Sequence, residues 1–353
     1  MKNSIFNVGL DGYNAYLVKG GILIDGVPSD FADEFVKNIE KHISVSEIEY
    51  IVFTHATPDR AGTVEKLLKI NPEITVVGTI AAIKNIKEFV FADFKEMIAK
   101  DGAALGETLE FHITPNVPWP DTMLVYDKDC NALFSGEMFS SYNSLGDYYD
   151  ENLRQFGGFA EKCLEKIKAL DVKTIYPLCG GKISDTGKAV SLYEEKINEN
   201  RRRDYAVLCY MSKYGSTYEM ARIIADTLED KGLKVKLFDA EKRDGKMYRE
   251  INLASAVIFG SPTVNRNAPP HIWEAVCGLD AVSQRGIPCM TFGSSGWSGD
   301  APVLIHTHLR AMNFRMFDKP FLCTFRPNAD DKEKLKKHTE KFFDFIKKTG
   351  ELK

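Results

Sequence analysis

From about residue 204 onward the chain alternates without a break between short apolar runs and helical stretches. That alternation restricts the fold more than any other feature of the sequence. The apolar runs are 205–211, 234–240, 256–262, 288–294 and 320–325. Between the first two, Met220, Ile223, Ile224, Thr227 and Leu228 recur at the spacing of one helix face, and Leu335, Phe342 and Ile346 do so near the end. Runs that are apolar throughout, each followed by an amphipathic helix, predict parallel strands buried on both faces. The expected fold is α/β, a doubly wound five-stranded parallel sheet over residues 204–353.

The first part of the chain has a different texture. Strand-like pieces at 12–20, 21–27 and 50–54 lead into a short helix at 61–70, a strand at 74–78 and a helix at 79–89. Strands follow at 109–114, 122–129 and 131–136, the last two joined by a turn at 128–131, then a helix near 160–170 and a strand at 173–178. Strands first, then strands and helices mixed, suggest a sheet sandwich with outer helices. The polar stretch 198–204, with Arg201, Arg202 and Arg203, reads as a solvated linker. A length of 353 residues suits two domains, 1–200 and 204–353.

In a doubly wound sheet, ligands bind outside the carboxyl ends of the strands. Ser212-Lys213-Tyr214-Gly215-Ser216-Thr217 leaves the first strand and opens the first helix. Hydroxyls and a glycine at a helix N-terminus offer donors to a phosphate, although alone they serve equally as a plain N-cap. Gly260-Ser261-Pro262-Thr263-Val264-Asn265 follows the third strand, and Phe292-Gly293-Ser294-Ser295-Gly296-Trp297-Ser298-Gly299 the fourth. Glycines there let backbone approach a flat ring, and Trp297 offers a stacking face, unless it is a half-buried core residue.

Together these loops resemble those of the flavodoxin family, and in particular the flavodoxin domain of the flavodiiron proteins (A-type flavoproteins). The resemblance implies FMN as cofactor. It assigns the phosphate to Ser212, Tyr214, Gly215, Ser216 and Thr217. The isoalloxazine falls to Pro262, Thr263, Asn265, Ser294, Ser295, Gly296, Trp297 and Gly299. It extends upstream through Gly12-Tyr13-Asn14-Ala15-Tyr16-Leu17, Ile22–Asp25, Tyr50–His55 and Pro115–Met123, which resemble the family's metallo-β-lactamase-like αββα sandwich.

The family's iron-ligand pattern is not kept. Where the family has His-x-Glu-x-Asp-His, this chain has His55-Ala56-Thr57-Pro58-Asp59-Arg60, so Thr57 replaces the glutamate and Arg60 the second histidine. Pro118 stands at the next histidine, Glu137 at the bridging aspartate and Cys179 at the last histidine. Arginine opposes a cation, and proline has no side-chain donor. The expectation is therefore that the diiron centre is absent. His55, Asp59, Glu137 and Cys179 remain as residual donors for an unusual or mononuclear site. His112 reads as a structural strand residue.

The function expected is FMN-dependent electron transfer, with no catalytic residue assigned. The alternatives are an oxygen or nitric oxide reductase with an altered metal set, and a flavin-dependent sensor or partner subunit. A formal charge of −4, without basic excess, excludes a nucleic-acid or anionic-membrane surface. Seven scattered cysteines with no Cys-x-x-Cys pair, no leader-like start and no apolar span of about 20 residues fit a cytoplasmic protein. They also leave any iron–sulfur donor to a separate protein. No Gly-x-Gly-x-x-Gly fingerprint follows a strand. The family resemblance further implies a head-to-tail homodimer.

Overall fold

In the computed structural model, which describes residues 5–350, the chain divides into two compact units, 1–200 and 201–353. The first holds two sheets. One has the order β1 (Phe6–Asn7), β2 (Tyr16–Val18), β3 (Ile22–Ile24), β4 (Tyr50–Val52), β5 (Thr75–Gly78), β6 (Lys95–Ile98). It is antiparallel as far as β3 and parallel beyond. The other runs from β7 (Ala104–Leu105) through β8 (Leu109–Ile113), β9 (Met123–Asp127) and β10 (Ala132–Gly136) to β11 (Thr174–Pro177).

Alternating side chains decide the layers. Ile24, Val52 and Val77 face inward and meet Phe111, Val125 and Phe134 of the second sheet. Their neighbours Leu23, Ile51 and Val76 face outward, against α1 (Ala32–Glu40), α2 (Pro58–Ala61), α3 (Val64–Ile70) and α4 (Ile80–Phe89). On the far side Leu124, Leu133 and Ile175 pack with α5 (Leu145–Tyr148), α6 (Gly157–Lys168) and α7 (Thr186–Glu199). The unit is an αββα sandwich.

The second unit follows the alternation of its sequence: β12 (Arg203–Tyr210), α8 (Ser216–Asp230), β13 (Lys234–Asp239), α9 (Lys246–Leu253), β14 (Ala254–Gly260), α10 (Pro270–Cys277), β15 (Pro288–Ser295), α11 (Asp300–Ala311), β16 (Arg315–Met316), β17 (Phe321–Thr324) and α12 (Ala329–Thr349). All pairings are parallel, in the order β13-β12-β14-β15 and then β16 with β17. β16 pairs with the start of β15 and β17 with its end, so two short strands share the fifth position. Each sheet face has its own core, Val207 and Cys209 lying in one and Ala206 and Leu208 in the other.

Residues 201–204 are exposed, as expected of a solvated linker, and they join α7, which runs to Glu199, to β12, whose first residue Arg203 already pairs with Ala254. Arg202 Nη2 donates to Ser283 O at 2.6 Å. All seven cysteines are free, and among the described residues no helix is long and apolar enough to cross a membrane.

Candidate functional site

Strand order in the second unit reverses between β12 and β14, and a crevice opens at the carboxyl ends of such strands. A cavity of about 460 Å³ lies there, bounded by the loops after β12, β14, β15 and β17. Ser212, Tyr214, Ser216 and Thr217 line it from the first loop, and Pro262, Thr263 and Asn265 from the second. Ser294, Ser295, Gly296 and Trp297 line it from the third. Among the residues singled out in sequence, Gly215 and Gly299 stand off the wall. Gly215 is the N-cap of α8, at φ 84°, a conformation that glycine adopts without strain. Gly299 borders an adjoining groove with Val303, Leu304 and Leu322.

The loops are tied to one another before any ligand arrives. Thr217 Oγ1 is 3.3 Å from Ser294 Oγ, Thr263 N donates to Ser294 O at 3.3 Å, and Phe325 N donates to Ser295 O at 2.9 Å. Thr263 Oγ1 accepts from Ala301 N at 3.2 Å, which fixes the second loop to the start of α11. A Cβ on Gly293 would lie 2.0 Å from Ser261 O, so the close approach of the second and third loops needs glycine.

Two features suit a phosphorylated aromatic ligand. No N-cap side chain closes α8, although Ser212 Oγ accepts from Tyr218 N, so first-turn N–H donors remain for an anion. The cavity also carries bare aromatic surface: Trp297 is 93% exposed, Tyr214 87% and Phe325 69%. Trp297 is thus not a core tryptophan. Phe325, Lys213, Val264, Arg266 and Ser298 line the cavity as well and were not singled out in sequence. Phe325 ends the fifth apolar run, and a lining role there was legible from strand-end position alone.

In the first unit the loops after β4, β10 and β11 bring together part of the residue set singled out in sequence. His55 is buried with its ring parallel to that of Trp119, centroids 6.0 Å apart. Its Nε2 lies 3.5 Å from Glu137 Oε1 and 3.3 Å from Thr57 Oγ1. Burial, reinforced by Arg60, holds the imidazole pKa down to about 3, so the contact with Glu137 is not an ion pair at neutral pH. Burial pushes the Glu137 carboxyl up, opposed by Arg60 and by the Tyr148 hydroxyl that donates to Glu137 Oε2.

Arg60, 2% exposed, occupies the middle of this cluster. Its Nη2 donates to Cys179 Sγ at 3.3 Å and its Nη1 to Leu178 O at 3.4 Å. Asp59 Oδ2 is 3.5 Å from its Nε, and the Tyr13 ring lies 5.3 Å from its Cζ. Burial works against the cation, but Cys179 and Glu137 beside it more than offset this and raise its pKa. Cys179 Sγ in turn donates to Gly12 O at 3.0 Å. His55 and Glu137 therefore meet each other, whereas the contacts of Asp59 and Cys179 run to Arg60. Among the described residues no three His, Cys, Asp or Glu side chains are grouped to hold a metal. His112 lies on β8, 3.4 Å from Glu110 Oε1.

The comparisons agree with both halves. Residues 12–178 match the family model described as ODP family beta lactamase, and residues 208–338 match the flavodoxin model. The chain is 30% identical to flavo-diiron protein FprA2 of Clostridium acetobutylicum, covering 94% of this chain and 90% of that one. It is 29% identical to the type A flavoprotein fprA of Rhodobacter capsulatus, covering 91% and 81%. Among solved structures it resembles the rubredoxin oxygen:oxidoreductase of Desulfovibrio gigas, with a TM-score of 0.62, 26% identity and coverage of 96% and 91%. With an αββα metallo-β-lactamase-like unit followed by a flavodoxin-like one, and a relative this similar along nearly its whole length, the chain belongs to the flavo-diiron (type A flavoprotein) family.

Proposed function

We propose that this protein is an FMN-binding electron-transfer flavoprotein whose metallo-β-lactamase-like unit carries no diiron centre. The first turn of α8, whose N-cap is Gly215, with the hydroxyls of Ser212, Ser216 and Thr217, would hold the phosphate. Pro262, Thr263 and Asn265 on one loop and Ser294–Trp297 on another would hold the ring, with Trp297 as a stacking face. Bound FMN supplies reversible one- and two-electron chemistry, and the protein's part is to bind, orient and tune it.

The observation that carries the reading is Arg60. A pair of irons needs several nitrogen and oxygen ligands for each metal, with carboxylates to balance the charge. Here a buried guanidinium stands at one ligand position, hydrogen-bonded to the residue at another, Cys179. Thr57 and Pro118 add no imidazole or carboxylate. The residues present do not fit a diiron pair. A permanent cation inside the protein takes the place of the metal charge beside Glu137.

The same proposal includes a separate protein as electron donor, a cytoplasmic location and a head-to-tail homodimer. The name of the Desulfovibrio relative favours the competing reading, an oxygen-reducing enzyme. The test is consumption of oxygen, and separately of nitric oxide, by the reduced FMN-loaded protein. The proposal expects no turnover beyond that of free reduced FMN, and catalytic consumption would overturn it. Sedimentation at micromolar concentration checks the dimer, which a monomer would remove.

A further inference from the structure

The wall of the flavin cavity holds two cations, Lys213 and Arg266, and no carboxylate. The two are not equivalent. Lys213 belongs to the loop that enters α8, where the phosphate would be received, and its Nζ lies 5.8 Å from the centre of the Tyr214 ring. Arg266 stands on the loop after β14, next in sequence to Asn265, one of the residues expected to face the ring.

Its position is held by unusual backbone. Val264 N donates to Asn267 O and Asn267 N to Val264 O, both at 2.9 Å, closing a tight reversal. Asn265 and Arg266 at its centre have φ of 52° and 59°. This is the type I′ pattern, in which asparagine and glycine are the residues that fit without strain. An arginine there costs on the order of 1 kcal/mol. The turn is locked from behind: Asn267 Oδ1 accepts from Trp273 Nε1 at 2.9 Å and from Ala268 N at 2.8 Å. The guanidinium is tethered through Nε, 3.5 Å from Asp300 Oδ2 at the first position of α11. The side chain is 80% exposed.

We propose that Arg266 tunes the flavin, its charge favouring the reduced ring over the oxidised one and so raising the two-electron potential. On reduction the oxidised ring takes up two electrons and one proton and becomes an anion. The electrons come from an external reductant, a donor protein or, in the test, dithionite. The oxidised ring is neutral and gains little from a nearby cation, whereas the anion gains directly. The phosphate is charged in both states, so a cation's pairing with it does not by itself shift the potential of the ring. The inference rests on the FMN reading.

The test uses the full-length chain as wild type, Arg266→Gln, Arg266→Lys and Asp300→Asn, loaded with FMN. Fluorescence titration gives the affinity for oxidised FMN, and a redox titration gives the two-electron midpoint. Arg266→Gln is expected to bind oxidised FMN nearly as well as wild type and reduced FMN about tenfold more weakly, a fall of about 30 mV in midpoint. Arg266→Lys should keep most of the wild-type midpoint, and high salt should narrow the gap to Arg266→Gln by screening. An unmoved midpoint, or an equal loss of affinity for both oxidation states, overturns the inference and leaves the FMN reading intact. A wild-type chain that takes up no FMN overturns the FMN reading itself, and this inference with it. Should Arg266→Gln fail to fold, Asp300→Asn decides: it keeps the cation and removes its tethering carboxylate, so the midpoint must rise, and no change or a fall overturns the inference.

Discussion

A buried guanidinium with fixed partners is costly to desolvate and costly to remove once its neighbours are built around it. Arg60 donates to Leu178 O and Cys179 Sγ and lies against Asp59 and Tyr13, so truncation leaves unpaired polar atoms and a void. Arg60→Ala is expected to lose about 3 kcal/mol of unfolding free energy in urea. A loss below about 1 kcal/mol would mean that Arg60 is not the organising cation of this cluster. Titration supplies a second check, at Asp25. Burial pushes its carboxyl up to about 7 against the two hydrogen-bonding groups of Thr54. Folded protein then binds more protons than unfolded between about pH 4 and 7, so this contribution is complete below about 4 and is lost as pH rises through 7. His55 has the opposite sign, its contribution being present above about 6.5 and lost as pH falls toward 3. Asp25→Asn should therefore gain on wild type as pH rises from 4 to 7, by at most about 1.4 kcal/mol per pH unit. A pH-independent difference would mean that the carboxyl stays ionised throughout.

Among the elements, β15 carries the tightest constraint. Gly293 passes so close to Ser261 O and to Pro302 that a methyl group cannot enter without moving backbone. Gly293→Ala should separate the two ring-facing loops, weaken FMN binding by about tenfold or more, and lower stability by about 2 kcal/mol. Fluorescence titration beside urea unfolding reads both, and unchanged affinity would contradict this account of the loops. The same element shows why the second unit was so legible: β12, β14 and β15 are buried on both faces, and a central parallel strand cannot hide its composition. Edges were harder to read. β6, Lys95–Ile98, exposes Lys95 and Glu96 and has no apolar run, and the fifth position of the second sheet is broken between β16 and β17. Helix α7 is marked in the sequence by Ala189, Tyr193 and Ile197 at four-residue spacing behind the capping side chain of Asp185. Within the cavity, strand-end loops are marked by their glycines and hydroxyls and Phe325 by its place at the end of a strand, whereas Arg266 lacks such marks and needs the fold to bring it to the wall.

For the molecule as a whole, every residue lining the flavin cavity and both cores beneath it belong to residues 201–353. That segment alone should fold and take up FMN with nearly the affinity of the full chain, as measured by the same titration. Failure to bind would show that the first unit contributes to the site. The family membership makes the first unit the informative one, since the proposal turns on the residues around Arg60 in an otherwise family-like sandwich. The most direct test is elemental analysis of iron and zinc per bound FMN, on protein grown with ample iron and purified without oxygen. The account predicts roughly one FMN per chain with iron and zinc near zero. About one or two irons per FMN would contradict it, and would mean that the cluster around Arg60 rearranges to hold metal.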